Sequence, residues 1–305
     1  MPSLTSQIDA IIAASGTTAM GVAIKHLESG EELYINADHS FPLCSVLKIP
    51  VLVEAFHQIQ TGRFTLDDRF ELTLAEKNLP SGVLVFLQDG LQPTLRDLLT
   101  LMIIISDNTA TDMVIHRLGV SATTQFMHEL GLTSIHVPMT IREIFIDILG
   151  EAGADPRRAF TMLDKPEAEV SANRTGRAYS LGPDNDVGTP RDLNRLNEMI
   201  FRAEILDRAA CDAMLHILLQ QQINLRLPRF LPAGTAVAHK TGTLSGIRND
   251  SGIIYANDHS HVAVTVFCTW DAEPVKDDPV AEWDHINKID SALGQIGRLV
   301  YDHFK

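Results

Sequence analysis

Ser45-Val46-Leu47-Lys48 is the stretch from which this chain is read. It falls where an extended N-terminal segment gives way to an apolar helix over residues 49–60, whose buried stripe is Val51, Leu52, Ala55, Phe56 and Ile59. Residues three apart on a helix share a face, so the serine and the lysine are within reach of one another. A serine hydroxyl is a weak nucleophile until a base takes its proton, and a lysine kept neutral by its surroundings can be that base. Pro50 has no amide hydrogen and fits only near a helix start or a kink, so the turn holding Ser45 is expected to be irregular. Alone, a Ser-x-x-Lys string is also what a helix start with a solvated lysine looks like, and its meaning depends on partners elsewhere.

On the N-terminal side, Leu4, Ile8, Ile11 and Ile12 recur at helical spacing before Gly16, and residues 20–27 and 32–36 flank a Gly-containing turn, a hairpin pattern. On the C-terminal side of the key stretch, residues 64–89 are loop-rich. Helices follow over 94–105, with Thr94 as N-cap and Asp97 in the first turn, over 109–118 and over 122–130. Residues 141–149 read as a short helix inside a long, weakly patterned excursion over about 132–188. Thr189-Pro190 opens a helix to about residue 203, and another spans 208–222. Strands are expected at 236–243, 251–256 and 261–269, with a turn at 244–250 that holds Arg248, and a helix at 286–304 closes the chain. A sheet divided between the chain ends implies a helical insertion.

The 305 residues are 45% hydrophobic and 21% charged, enough apolar content for a sizeable core, and carry a formal charge of −14 with only short basic clusters such as Arg157-Arg158. A nucleic-acid partner is excluded on that charge. No apolar run is long enough for a membrane span, and residues 1–5 lack the basic start and apolar core of a secretion signal, so a cytoplasmic protein is expected. Cys44, Cys211 and Cys268 are widely spaced and read as buried thiols. The histidines are scattered, and His259 and His261 lack a ligand-set spacing, so neither metal nor cofactor is expected. Trp270 and Trp283 are expected to pack around the last strand and helix.

Two further strings change the weight of the first: Ser106-Asp107-Asn108 and Lys240-Thr241-Gly242. Each has a structural reading, a helix N-cap and a strand end, but all three in this order arise by chance only at roughly the per-mille level. With these three strings the chain resembles the serine β-lactamases and penicillin-binding proteins, especially the class A β-lactamase branch. The resemblance implies an α/β (α+β) fold: a domain from residues 1–43 and 223–305, with an antiparallel sheet flanked by the N- and C-terminal helices, beside an all-helical domain over 44–222, with the site in the cleft between. It implies Ser45 as the nucleophile toward the carbonyl of an amide or strained lactam, and Lys48 as its base. Ser106 would relay the proton to the departing nitrogen, and Lys240 would hold the Ser106 hydroxyl and attract the substrate carboxylate. Asn108 would position Lys48 and the substrate amide, while Asp107 caps the following helix. Backbone amides of Ser45 and Thr243 would form the oxyanion hole, Thr241 and Thr243 would meet the carboxylate, and the strand through Gly242 would pair with a peptide-like substrate. Arg248 is a candidate for the arginine beside that carboxylate, or an exposed turn residue.

The chain departs from the class A pattern at the glutamate that activates the second water. Glu143 stands nearest by spacing, with Asp147 where the family has asparagine; Glu167 and Glu169, ahead of Asn173, are the alternatives. The segment between Ser106 and Lys240 is also longer than is usual there. The resulting expectation is a serine hydrolase that is acylated at Ser45 and hydrolyses a β-lactam or related amide. An esterase or D-amino-acid peptidase of the same fold, and a lactam sensor that stays acylated, remain open.

Overall fold

The computed structural model describes residues 2–79, 81–158, 173–275 and 277–305. An N-terminal helix, α1 (Leu4–Ser15), is capped by Ser3 and stopped at Gly16 in a left-handed conformation. A hairpin, β1 (Ala19–His26) and β2 (Glu32–Ile35), follows, and the chain reaches β3 (Phe41–Pro42) and a 3₁₀ turn over Cys44–Leu47. The irregular turn expected ahead of Pro50 is this 3₁₀ segment, which runs straight into α2 (Lys48–Gln60). Helices α3 (Leu95–Ile104), α4 (Asn108–Leu118), α5 (Ala122–Glu129) and α6 (Ile141–Leu149) come next, then β4 (Val187–Gly188), α7 (Pro190–Arg202) and α8 (Arg208–Leu218). The chain ends with β5 (Val237–Leu244), β6 (Ile247–Asn257), β7 (Ser260–Thr269) and α9 (Pro279–Phe304).

Five strands form one antiparallel sheet in the order β2-β1-β7-β6-β5, so strands from both chain ends are interleaved and β5 is left as an edge. One face packs α1 and α9 through Ile8, Val22, Ile24, Val264, Ile289, Leu293 and Ile296, an apolar cluster of its own. The opposite face, through Ala238, Ile253, Ala263 and Phe267, joins a larger cluster with α2, α3, α4 and α7. The cleft lies beside β5, where strand edge and helices meet.

The sequence reading misplaces β6. It begins at Ile247, not 251, so the turn is only Ser245-Gly246 and Arg248 lies within the strand. The polar run Asn249-Asp250-Ser251 looks like a loop, yet each side chain is buried and bonded: Asn249 Nδ2 donates to Pro42 O, Asp250 Oδ1 pairs with His239 Nδ1, and Ser251 Oγ meets Thr265 Oγ1. Satisfied polar groups can be buried at little cost, which is why composition misleads here. Helix 208–222 is shorter than expected, ending at Leu218, and the last helix starts earlier, at Pro279. Trp270 is buried as expected, whereas Trp283 is 67% exposed on the solvent face of α9 and packs no core. All three cysteines are buried and free. Among the described residues no helix is long and apolar enough to cross a membrane.

Candidate functional site

Ser106 is the first element of the site to be positioned, and it is positioned under strain. Its φ is +59°, a region that non-glycine residues seldom adopt, and it is held there by the cap that follows it. Asp107, 1% exposed, caps α4 by accepting from Ala110 N at 2.9 Å, and its other oxygen accepts from Val83 N at 2.6 Å and Leu84 N at 2.9 Å. Gly82, at φ +106°, is required at that junction: a Cβ there would sit 2.3 Å from Asp107 Cγ. Asn108 N donates to Ser81 O, and Ser81 Oγ donates to Ser106 O at 2.7 Å, so the 78–84 loop is stapled to the whole tripeptide. Asp107→Ala removes a cap and takes the acceptor from the amides of Val83 and Leu84, the second of them buried. We expect it to lower unfolding stability by about 3 kcal/mol in a denaturant titration; a loss below a third of that contradicts this role.

Lys48 is fully buried, and its Nζ donates to Ser106 O at 2.7 Å, Ser106 Oγ at 2.9 Å and Asn108 Oδ1 at 2.9 Å. Burial pulls its pKa down to about 7, against the opposing pull of Asp107 and Asp112. In its neutral form the amine has two N–H groups and a lone pair, and of its three partners only the Ser106 hydroxyl can donate to that lone pair. Ser45, half-buried, lines the same cavity as Ser106 and Asn108. The amine is thus turned toward Ser106 and Asn108, and none of these bonds goes to Ser45.

Lys240 is also fully buried, but its Nζ donates to Thr241 O at 2.9 Å, not to Ser106. The hydroxyl expected in its grasp is held by Lys48 instead. Burial first, and then the neighbouring charges of Lys48 and Arg226, drive the Lys240 pKa well below its ordinary value. Gly242 explains how β5 comes so close to Ser45: a Cβ on it would lie 2.5 Å from Leu43 O and 3.2 Å from Cys44 Cβ, so only glycine lets the strand edge press against the serine-bearing turn.

Arg248 is 4% exposed, with Nη1 donating to Leu244 O at 2.8 Å and Ile247 O at 2.9 Å. It secures the hairpin turn from within the strand, so it is not the exposed turn residue that the sequence also allowed, and it is not among the residues lining the cavity. The arginine that touches the site is Arg226, which sequence reasoning missed. Its Nη2 donates to Thr243 Oγ1 at 2.6 Å, Nη1 to Gly242 O and Asn249 O, and Nε to Asp290 Oδ1 at 2.9 Å. Its partners come from β5, β6 and α9, so no local pattern in the sequence marks it.

The cavity encloses about 310 Å³. Ser45, Ser81, Ser106, Asn108, Thr241 and Thr243 form its polar side. The facing wall is α6, which presents Ile141, Ile144, Phe145, Ile148 and Leu149, one unbroken helical face. Glu143 is on the other side of that helix, exposed, closing a capping box in which its carboxylate accepts from Thr140 N at 2.8 Å. Asp147 likewise points away, accepting from Ala178 N at 2.8 Å. Among the described residues no carboxylate lines the cavity; Glu167 and Glu169 lie outside the described residues.

The cleft thus brings two serines together beside an open strand edge, with one buried amine bonded to the second of them. The sequence profile of the Beta-lactamase enzyme family matches residues 3–304, and the chain belongs to that family. It is 25% identical to the extended-spectrum β-lactamase PER-1 of Pseudomonas aeruginosa over 89% of this chain and 81% of that one. It is 24% identical to the β-lactamase regulatory protein BlaB of Streptomyces cacaoi over 92% and 91%. The fold superimposes on the solved structure of PBP-A with a TM-score of 0.75 at 25% identity, covering 98% of this chain and 95% of that one; a point mutant of PBP-A has been solved as an acyl-enzyme complex with penicillin G.

Proposed function

We propose that this protein is a serine hydrolase in which Ser45 forms an acyl-enzyme with a carboxylate-bearing β-lactam or a related peptide-like amide, and from which the acyl group is released slowly. The observation that carries this reading is the asymmetry of the cavity: hydroxyls and an amide, including Ser45 and Ser106, on one side, and on the other a wall of isoleucines, phenylalanine and leucine with no carboxylate among the described residues. Ser45 Oγ attacks the carbonyl carbon, and its proton passes to Lys48, directly or through water. Backbone amides of Ser45 and Thr243 receive the developing oxyanion. The Ser106 hydroxyl, bonded to Lys48, returns a proton to the departing nitrogen. The hydroxyls of Thr241 and Thr243 meet the substrate carboxylate in the field of Arg226, which is bonded to Thr243. Asn108 fixes Lys48. Hydrolysis of the ester then needs a base beside the second water, and the wall offers none. Likeness to PBP-A, a point mutant of which was solved as an acyl-enzyme with penicillin G, supports adduct formation, and likeness to PER-1 favours the second reading, rapid β-lactam turnover through Glu167 or Glu169.

A chromogenic cephalosporin followed by absorbance and intact mass separates the two. We expect a burst stoichiometric with enzyme, a persistent adduct and no adduct in Ser45→Ala. Steady turnover that Glu167→Gln or Glu169→Gln abolishes overturns slow release. No adduct with any lactam, together with Ser45-dependent hydrolysis of an activated ester, moves the protein to the esterase or peptidase alternative.

A further inference from the structure

We infer that Arg174 is a specificity-determining residue that closes one end of the cleft and restricts the bulk of the acyl side chain the site accepts. This rests on the reading of Ser45 as the acylated residue. Arg174 belongs to the segment leading from the long excursion back to β4, and its guanidinium reaches over to the far side of the site. Nη2 donates to Ser245 Oγ at 2.7 Å, and Nη1 lies 3.5 Å from Glu273 Oε1. Ser245 is in the turn after β5 and lines the cavity; Glu273 follows β7.

The arginine is carried by a segment that is itself tied to the apolar wall. Asn173 N donates to Ile148 O at 2.9 Å, Ala178 N donates to Asp147 Oδ2, and Tyr179 of the same segment joins the cavity lining. The bridge therefore runs from the α6 wall to the end of the β5 edge. A substrate lying along β5 with its reactive carbonyl at Ser45 directs one substituent toward that end, into the space among Phe145, Ile148, Leu149 and Tyr179. An apolar group that fits this space is accommodated, and a longer one must displace the Arg174–Ser245 contact. A planar fork that serves two acceptors on separate segments suits this task better than a lysine. The side chain is 25% exposed, so removing it opens the cleft without unpairing a buried charge.

The test compares two penicillins, one with a bare amino group in place of the acyl side chain (6-aminopenicillanic acid) and one with a bulky fluorophore on that side chain. Their second-order rates of adduct formation are followed by intact mass. In Arg174→Ala the bulky probe should react about tenfold faster relative to the small one, and Ser245→Ala should move the ratio in the same direction. An unchanged ratio, or one that falls, overturns the inference. If neither probe labels Ser45 in wild type or variant, the acylation reading fails on its own account. Hydrogen exchange then judges the bridge: faster exchange at the amides of residues 244–246 in Arg174→Ala supports it, and unchanged exchange overturns it.

Discussion

Lys48→Ala is expected to slow acylation of Ser45 by about a thousandfold at neutral pH, within the range that positioned general bases contribute. An amine with no exposure and a pKa pulled down to about 7 is deprotonated in half the molecules at that pH, whereas an exposed lysine almost never is. Acylation in the wild type should therefore rise with pH through about 7 and level off above it, while Lys48→Ala shows no such inflection. Stopped-flow quenching with a fluorescent penicillin measures both. A wild-type profile with no inflection near 7, or a variant that retains it, removes Lys48 from the role of base. Stability provides a second readout with its own sign. The unfolded lysine binds its proton up to its ordinary value of 10.5, the folded one only up to about 7, so between these limits the unfolded state holds more protons and raising the pH favours the folded state. The wild type should gain stability relative to Lys48→Ala as pH increases from 7 toward 10, and the difference should be constant below 7.

The parts of this site that depend on local chemistry are legible in the chain. The cap at Asp107, the Thr94 and Thr189 helix starts and the irregular turn before Pro50 each follow from what a residue does to its own backbone, and each is present. The three strings also converge: Ser45 and Ser106 line one cavity with Thr241 between them and the strand edge, and Lys48 is bonded to the second string. What cannot be read is whatever depends on distant partners. Arg226 matters because it bridges Thr243 and Asp290, and Arg174 because it meets Ser245, pairings separated by 17, 64 and 71 residues that leave no periodicity behind. Arg248 is misread for the converse reason. Its turn looks long because Asn249, Asp250 and Ser251 are loop-type residues, and only the sheet shows them paired and buried. Glu143 stands out by spacing along the chain, but a one-residue step on a helix rotates a side chain by about 100°, far enough to take it from cavity to solvent.

That rotation yields the second large effect. Ile144, next to Glu143, is 6% exposed and lines the cavity one turn inside the capped start of α6. In Ile144→Glu a carboxylate replaces part of the apolar wall facing Ser45. Burial there should raise its pKa, keeping it a competent base near neutral pH, and the adjacent helix start limits the rise by favouring the charged form. We expect the lifetime of the Ser45 adduct to fall by about a hundredfold, the lower end of what a positioned base supplies, with the rate of adduct formation changed far less. Ile144→Gln has nearly the same volume and a polar end but no basic oxygen, so it controls for loosening of the wall, and a thermal melt of each variant reports the cost of a polar group at that position. Glu143→Gln should leave the lifetime as it is, because the exposed Glu143 carboxylate is engaged by Thr140. Equal lifetimes for Ile144→Glu and Ile144→Gln would show that a base at this wall is not what limits release. A longer lifetime in Glu143→Gln would return the deacylating role to the residue that the helix turns outward.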